Sequence, residues 1–129
     1  MNTKAQLIYD SFESTFEDKC IVPDELEKFW LLKAIGRFST EIEPLVFDEE
    51  TMEFDSQLDF NDVDILGMYM KLFYQEREVS KVNKRASIVT KDLSWDGTNG
   101  TKTAEKNHLE YVAEQLSILI SHRKTPAYS

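Results

Sequence analysis

Between Asn61 and Thr90 the apolar positions repeat with the period of a helix. Ile65, Tyr69, Leu72, Val79 and Ala86 fall three, four or seven residues apart, and Leu66, Met70 and Phe73 widen the stripe, as in an amphipathic helix with a broad buried face. No proline interrupts the stretch, and Gly67 is its one glycine. Asn61 is suited to accept a hydrogen bond from a free first-turn amide. Asp62 and Asp64 sit at the positive end of the helix dipole, and Lys81, Lys84 and Arg85 lie towards the negative end. The spacing predicts a continuous helix over 61–90, roughly 35 Å or longer at about 1.5 Å per residue.

Three further helices are predicted around it. Thr3-Lys4-Ala5-Gln6 has the form of a capping box, followed by Ala5, Ile8, Phe12 and Phe16 at helical spacing, so a first helix is expected from Lys4 to Lys19. Pro23 suits the start of a second helix, where its missing amide hydrogen costs nothing. Asp24, Glu25 and Glu27 load that end with acid, and Pro44 stops the helix. The interior from Phe29 to Phe38 is apolar on more than one side, which predicts burial between neighbouring helices or subunits. Residues 45–58 break the helical period and predict a small hairpin, with apolar Phe47, Met52 and Phe54 flanking an acidic turn. A hairpin this small must lie on the helices or on a partner. Lys91–Thr101 reads as a polar loop, and Leu109, Val112, Ala113, Leu116, Leu119 and Ile120 predict a last helix from Lys102 to His122. Pro126 and the residue before it resist helix, so 124–129 is expected to be an extended C-terminal tail. The fold class is therefore mainly α, one four-helix domain over 1–123 with one long helix and a possible small hairpin.

Composition narrows the class without naming a reaction. The chain has 129 residues, 41% hydrophobic and 30% charged, the balance of one folded domain with a modest core. No apolar run reaches membrane-spanning length, and the start Met1-Asn2-Thr3-Lys4-Ala5 has no leader-like apolar stretch, so an untrimmed cytoplasmic protein is expected. Cys20 is the one cysteine, which excludes an internal disulfide and a thiolate metal cluster. The net charge of −9 is unevenly spread: residues 1–64 hold 17 acids and 5 bases, net −12, and residues 65–129 hold 7 acids and 10 bases, net +3. Charge runs are commonly just a solvated face. The sharper expectation is a head-to-tail contact between the acidic half of one copy and the basic half of the next, which would build a ring. An acidic chain is poorly suited to grip nucleic acid by its phosphates.

Candidate chemistry is sparse. Asp92-x-Ser94-x-Asp96-Gly97 resembles the start of a calcium loop, but its twelfth position is Thr103, where a bidentate glutamate is needed. A structured turn with a buried or partner-facing Trp95 is the better reading. His108 and His122 have no second ligand at metal spacing, and no local signature joins Cys20 to either. Asn99-Gly100-Thr101 fits a glycosylation acceptor and, with no secretory signal, reads as a turn. No nucleophile, base and oxyanion donor occur together, so neither catalysis nor a cofactor or required metal is expected.

Asp55-Ser56-Gln57-Leu58-Asp59-Phe60, then Asp64-Ile65-Leu66-Gly67-Met68-Tyr69-Met70 and Glu78-Val79-Ser80-Lys81-Val82, followed by Lys91–Ser94 and Ala104–Glu110, resemble small structural proteins of tailed bacteriophages. The resemblance is to neck or head–tail connector proteins, the mainly helical adaptors that assemble under the portal, and it covers about half of the chain. It implies a homo-oligomeric ring in the virion neck, assembled in the host cytoplasm, with the portal protein and tail or other neck proteins as partners. Packaged DNA would pass without specific binding, past a wall whose acidic charge repels phosphates, and no membrane would be involved. Both chain ends are expected to be held by neighbours. The interface residues expected on this reading are Phe47, Met52, Phe54, Lys81, Lys84, Arg85, Trp95, Pro126 and Tyr128. The alternative is a small cytoplasmic helical protein that binds or regulates a partner without catalysis.

Overall fold

The long helix is continuous. In a computed structural model, which describes residues 2–16, 22–92 and 96–124 and the side chains among them except those of 82–92 and 96–103, the order is α1 (Ala5–Glu13), α2 (Asp24–Glu41), β1 (Phe47–Asp48), β2 (Glu53–Phe54), α3 (Phe60–Asp92) and α4 (Asp96–Lys124). The chain is mainly helical with one small antiparallel sheet. At 33 residues α3 is the longest element, about 50 Å at 1.5 Å per residue. It is also the hub: α1, α2 and α4 all pack against it.

The periodic stripe of α3 becomes the centre of the core. Ile65, Leu66 and Met70 are wholly buried, together with Ile8 and Phe12 of α1, Leu31 and Phe38 of α2, and Phe54 of β2. Phe12, Phe16, Trp30 and Tyr74 meet edge to face at centroid separations of 4.8 to 6.5 Å, the geometry their ring quadrupoles favour. The buried Lys71 lays its Nζ 3.5 Å from the Phe16 ring centroid, adding a cation–π contact.

Several boundaries depart from the sequence expectations for identifiable reasons. The first helix stops at Glu13 instead of continuing to Lys19. Ser14 Oγ and Thr15 Oγ1 donate to the carbonyls of Ser11 and Phe12, each at 2.7 Å, and such side-chain bonds compete with helix continuation. Thr3 does not cap α1, whose N-cap is Lys4 without a side-chain bond. Instead Thr3 latches the N-terminal segment onto the hairpin. Its Oγ1 accepts from Leu58 N at 2.8 Å, its carbonyl accepts from Phe54 N at 2.8 Å, and its amide donates to Ser56 O at 3.1 Å. Lys4 forms an isolated bridge with Glu53, so the two-stranded hairpin gains a third rung. The hairpin pairs Phe47 with Phe54 and Asp48 with Glu53. Asp48 Oδ1 accepts from Glu50 N at 2.9 Å in an Asx turn, and Met52 takes a positive φ of 55°.

The expected loop over 91–101 is also shorter. The last helix begins at Asp96, taking in Gly97 and Gly100, and ends at Lys124. Elongating a formed helix adds a hydrogen bond for each residue fixed, so two glycines at roughly 1 kcal/mol each do not stop it. The twelve-residue calcium frame starting at Asp92 therefore overlaps the first turns of α4, and the backbone does not form the loop between helices that such a site requires. The tail segment 125–129 lies outside the described residues.

Candidate interaction surface

α2 and α4 flank α3 without extensive contact with each other. Between them a cleft of about 700 Å³ is left open. Tyr69 and Leu72 of α3 with Leu116 and Ile120 of α4 supply apolar floor and wall, while Arg37 and Glu41 of α2 and Ser117 and Lys124 of α4 form the polar rim. On α4 the lining positions Ala113, Ser117, Ile120 and Lys124 recur at three and four residues, one flank of the helix. Tyr69 is 3% exposed. Burial raises its hydroxyl pKa, the Glu41 carboxylate adds to this, and the Arg37 guanidinium opposes it. At neutral pH the floor is therefore neutral and the charge is confined to the rim. Arg37 also lies over the Phe73 ring at 5.2 Å, beside Lys33 at 4.4 Å, which holds cations along this edge of α2.

Polar ties fix α4 on α3 beside the cleft. Arg123 Nε donates to Asp62 Oδ1 at 2.8 Å, and its Nη2 donates to Glu43 Oε1 at 2.6 Å. Thirteen residues along α3, the buried Gln75 donates to Glu105 Oε2 at 2.6 Å. A second cleft, between α1 and α2, is acidic. Tyr9, Glu13, Asp24 and Glu27 line it with Lys28. Burial, then repulsion from Glu13, Asp24 and Asp10, pushes the Glu27 carboxyl up to about 7. Burial, with Glu27 and Asp24, pushes Tyr9 to about 12. Among the described residues no group of three or more His, Cys, Asp or Glu side chains is placed to hold a metal, and no helix is long and apolar enough to cross a membrane.

The residues expected at interfaces separate. Phe54 is 1% exposed, so it belongs to the chain's own core and offers no surface to a partner. Phe47 lies against it at 4.8 Å, and both Phe47 and Met52 are half-buried on that core. Lys81 bonds Glu78 at 3.3 Å one turn away. Lys84 and Arg85 fall in α3 with side chains outside the described residues, and Trp95, Pro126 and Tyr128 lie outside them altogether. The exposed large apolar residues among those described are none of the ones expected at interfaces: Phe60 at 83%, Val46 at 62%, Phe29 at 61% although it was expected to be buried with the rest of its helix, Leu7 at 41%, Tyr111 at 58% and Ile118 at 43%. The signal for the last two was available, since they stand seven residues apart and off the main apolar stripe of their helix. The cleft had no comparable signal, because it depends on how far α2 and α4 stand apart on α3. Comparison of the chain with protein-family models, with curated proteins and with solved structures found no match.

Proposed function

We propose that the chain is a structural, non-catalytic subunit of a tailed-bacteriophage neck, assembling with copies of itself into a ring between portal and tail. The observation that carries this reading is the open α2–α4 cleft, where Leu72 and Ile120 are left half-buried between polar side chains. A groove between helices that holds half-buried apolar side chains suits the docking of another protein's side chains. The resemblance of residues 55–110 to neck adaptors supplies the context. The excess of acid in residues 1–64 suits a channel wall past which DNA slides without adhering. The portal protein and other neck or tail proteins are the partners on this reading, in a virion assembled in the host cytoplasm.

The alternative is a small helical partner-binding or regulatory protein with no virion role. The same cleft favours it, since a groove between two helices accepts an amphipathic helix of a different protein. Mass measurement and negative-stain microscopy of the purified chain, alone and with a portal assembly, separate the two. Rings that cosediment with the portal support the neck role. A monomer that ignores the portal removes it.

A further inference from the structure

The α1–α2 cleft is acidic down to its floor. Its lining sets the carboxylates of Glu13, Asp24, Glu27 and Glu49 against the ammonium of Lys28, with Tyr9 and Met52 half-buried among them. At about 560 Å³ it has room for a side chain.

Exposed acids alone make only a solvated surface, and Glu27 differs from the rest. It is 8% exposed, and among the described residues no hydrogen bond or ion pair reaches its carboxylate. No wholly buried side-chain oxygen among those residues lacks a partner, so the Glu27 oxygens keep their remaining surface in the cleft they line. The charges that act on it are of its own sign: Asp10 and Glu13 from α1, and Asp24 from α2 itself. Tyr9 of α1, Lys28 of α2 and Glu49 of the hairpin turn complete the groups facing the cleft. A carboxylate drawn out of water without a donor is costly. A cation delivered to it relieves that cost and the repulsion together.

The donor set decides which cation. Among the described residues no three carboxylates converge as a metal requires. Acids spread over both helices suit a planar fork of N–H donors, and a weakly hydrated guanidinium gives up water readily to a half-buried acid. Tyr9 and Met52 supply an aromatic ring and a thioether for the guanidinium plane and its aliphatic stem to lie on. The same acids repel a carboxylate, which disfavours a free amino acid and favours an arginine in peptide linkage.

We infer that the α1–α2 cleft binds the side chain of an arginine presented by a partner protein, with Glu27 as its inner carboxylate. The site is separate from the α2–α4 cleft and stands whether or not the chain forms a ring.

The probe is the blocked tripeptide acetyl-Gly-Arg-Gly-amide, titrated into the full chain and followed by the carboxyl carbon resonances of the protein. Saturable binding is expected at pH 8, with a Kd on the order of 1 mM and Glu27 the resonance that moves most. Burial and its acidic neighbours push the Glu27 carboxyl up to about 7, so about nine-tenths of it is ionised at pH 8 and about a thirtieth at pH 5.5. Apparent affinity follows the competent fraction, and it should weaken at least about tenfold from pH 8 to pH 5.5. Glu27→Gln should lose about tenfold at pH 8 and most of the pH dependence, with circular dichroism checking its fold. Glu13→Gln, at an exposed position, should lose only about threefold and keep the pH dependence. Free arginine, and the tripeptide with lysine in place of arginine, should each bind at least about threefold more weakly. Binding that does not saturate, that is indifferent to pH, or that Glu27→Gln leaves intact overturns the site. A lysine tripeptide or free arginine that binds as well as the probe overturns the arginine assignment. Calcium that displaces the probe at matched ionic strength overturns it too.

Discussion

Gly67 of α3 lies so close to Ser11 of α1 that a Cβ on it would stand 2.8 Å from Ser11 Oγ and 3.1 Å from Ser11 Cβ. The absence of a side chain at Gly67 therefore sets how near α1 approaches the hub helix, and with it the burial of Ile8 and Phe12. Gly67→Ala is expected to destabilise the fold by about 1–3 kcal/mol, the usual range for overpacking a well-filled core. Urea denaturation measures it. Ser11→Gly in the same chain should recover only part of the loss, because Phe12 N, at 3.2 Å from the added carbon, is backbone. A Gly67→Ala chain as stable as the wild type would mean that α1 shifts freely.

Gly36 is the internal control. Nothing lies within 4 Å of a Cβ built there, in the middle of α2. Gly36→Ala should stabilise the chain by about 0.5–1 kcal/mol, since alanine loses less backbone freedom on entering a helix. Opposite signs for the same substitution at two helical glycines, read in matched melts, would separate propensity from packing.

Which parts of this were legible in the sequence follows from what periodicity encodes. The stripe Ile65, Leu66, Tyr69, Met70, Phe73 specified both a helix and its buried face, because side-chain direction is a local property of a helix. The hairpin was legible from the broken period around Phe47, Met52 and Phe54, but Thr3 as its latch was not. A threonine before a helix reads as a cap, and its bonds to Leu58, Phe54 and Ser56 join residues more than fifty positions apart. Gly67 is similar: a glycine inside a strong apolar stripe signals close approach, but not the residue that approaches. The α2–α4 cleft is the extreme case, a gap set by three helices and written in no single segment.

Arg123 joins the end of α4 to the start of α3 and to the segment after α2, and Asp62, its partner at 2.8 Å, is 4% exposed. Removing the guanidinium leaves that carboxylate buried beside Glu43 without its cation. Arg123→Met is expected to destabilise by about 2–3 kcal/mol, below the 3–5 typical of breaking a fully buried pair because Arg123 itself is partly solvated. Arg123→Lys should recover only part, since an ammonium does not offer the guanidinium's planar fork to both acids. If Arg123→Met and Asp62→Asn together are no worse than either alone, the two act as a pair.

The last prediction concerns pH. Glu27 is 8% exposed as a residue yet lines an open cleft, and burial followed by the charges of Glu13, Asp24 and Asp10 raises its carboxyl from 4.5 to about 7. An acid whose folded pKa exceeds its unfolded value binds more protons in the folded state between those two values. Stability must therefore fall as pH rises through that window. The penalty is absent below about 4.5, develops between 4.5 and 7, and is complete above 7. Water in the cleft screens the charge, so the effect is expected at about 1–2 kcal/mol, less than the full shift would give. Glu27→Gln keeps the shape and cannot ionise. It should match the wild type near pH 4.5 and exceed its stability near pH 8, and the difference between the two chains isolates this group from every other carboxylate. Urea denaturation at those two pH values measures the difference. A gap that is the same at both, or larger at the acid end, would show that Glu27 is not held neutral by its surroundings in the folded chain.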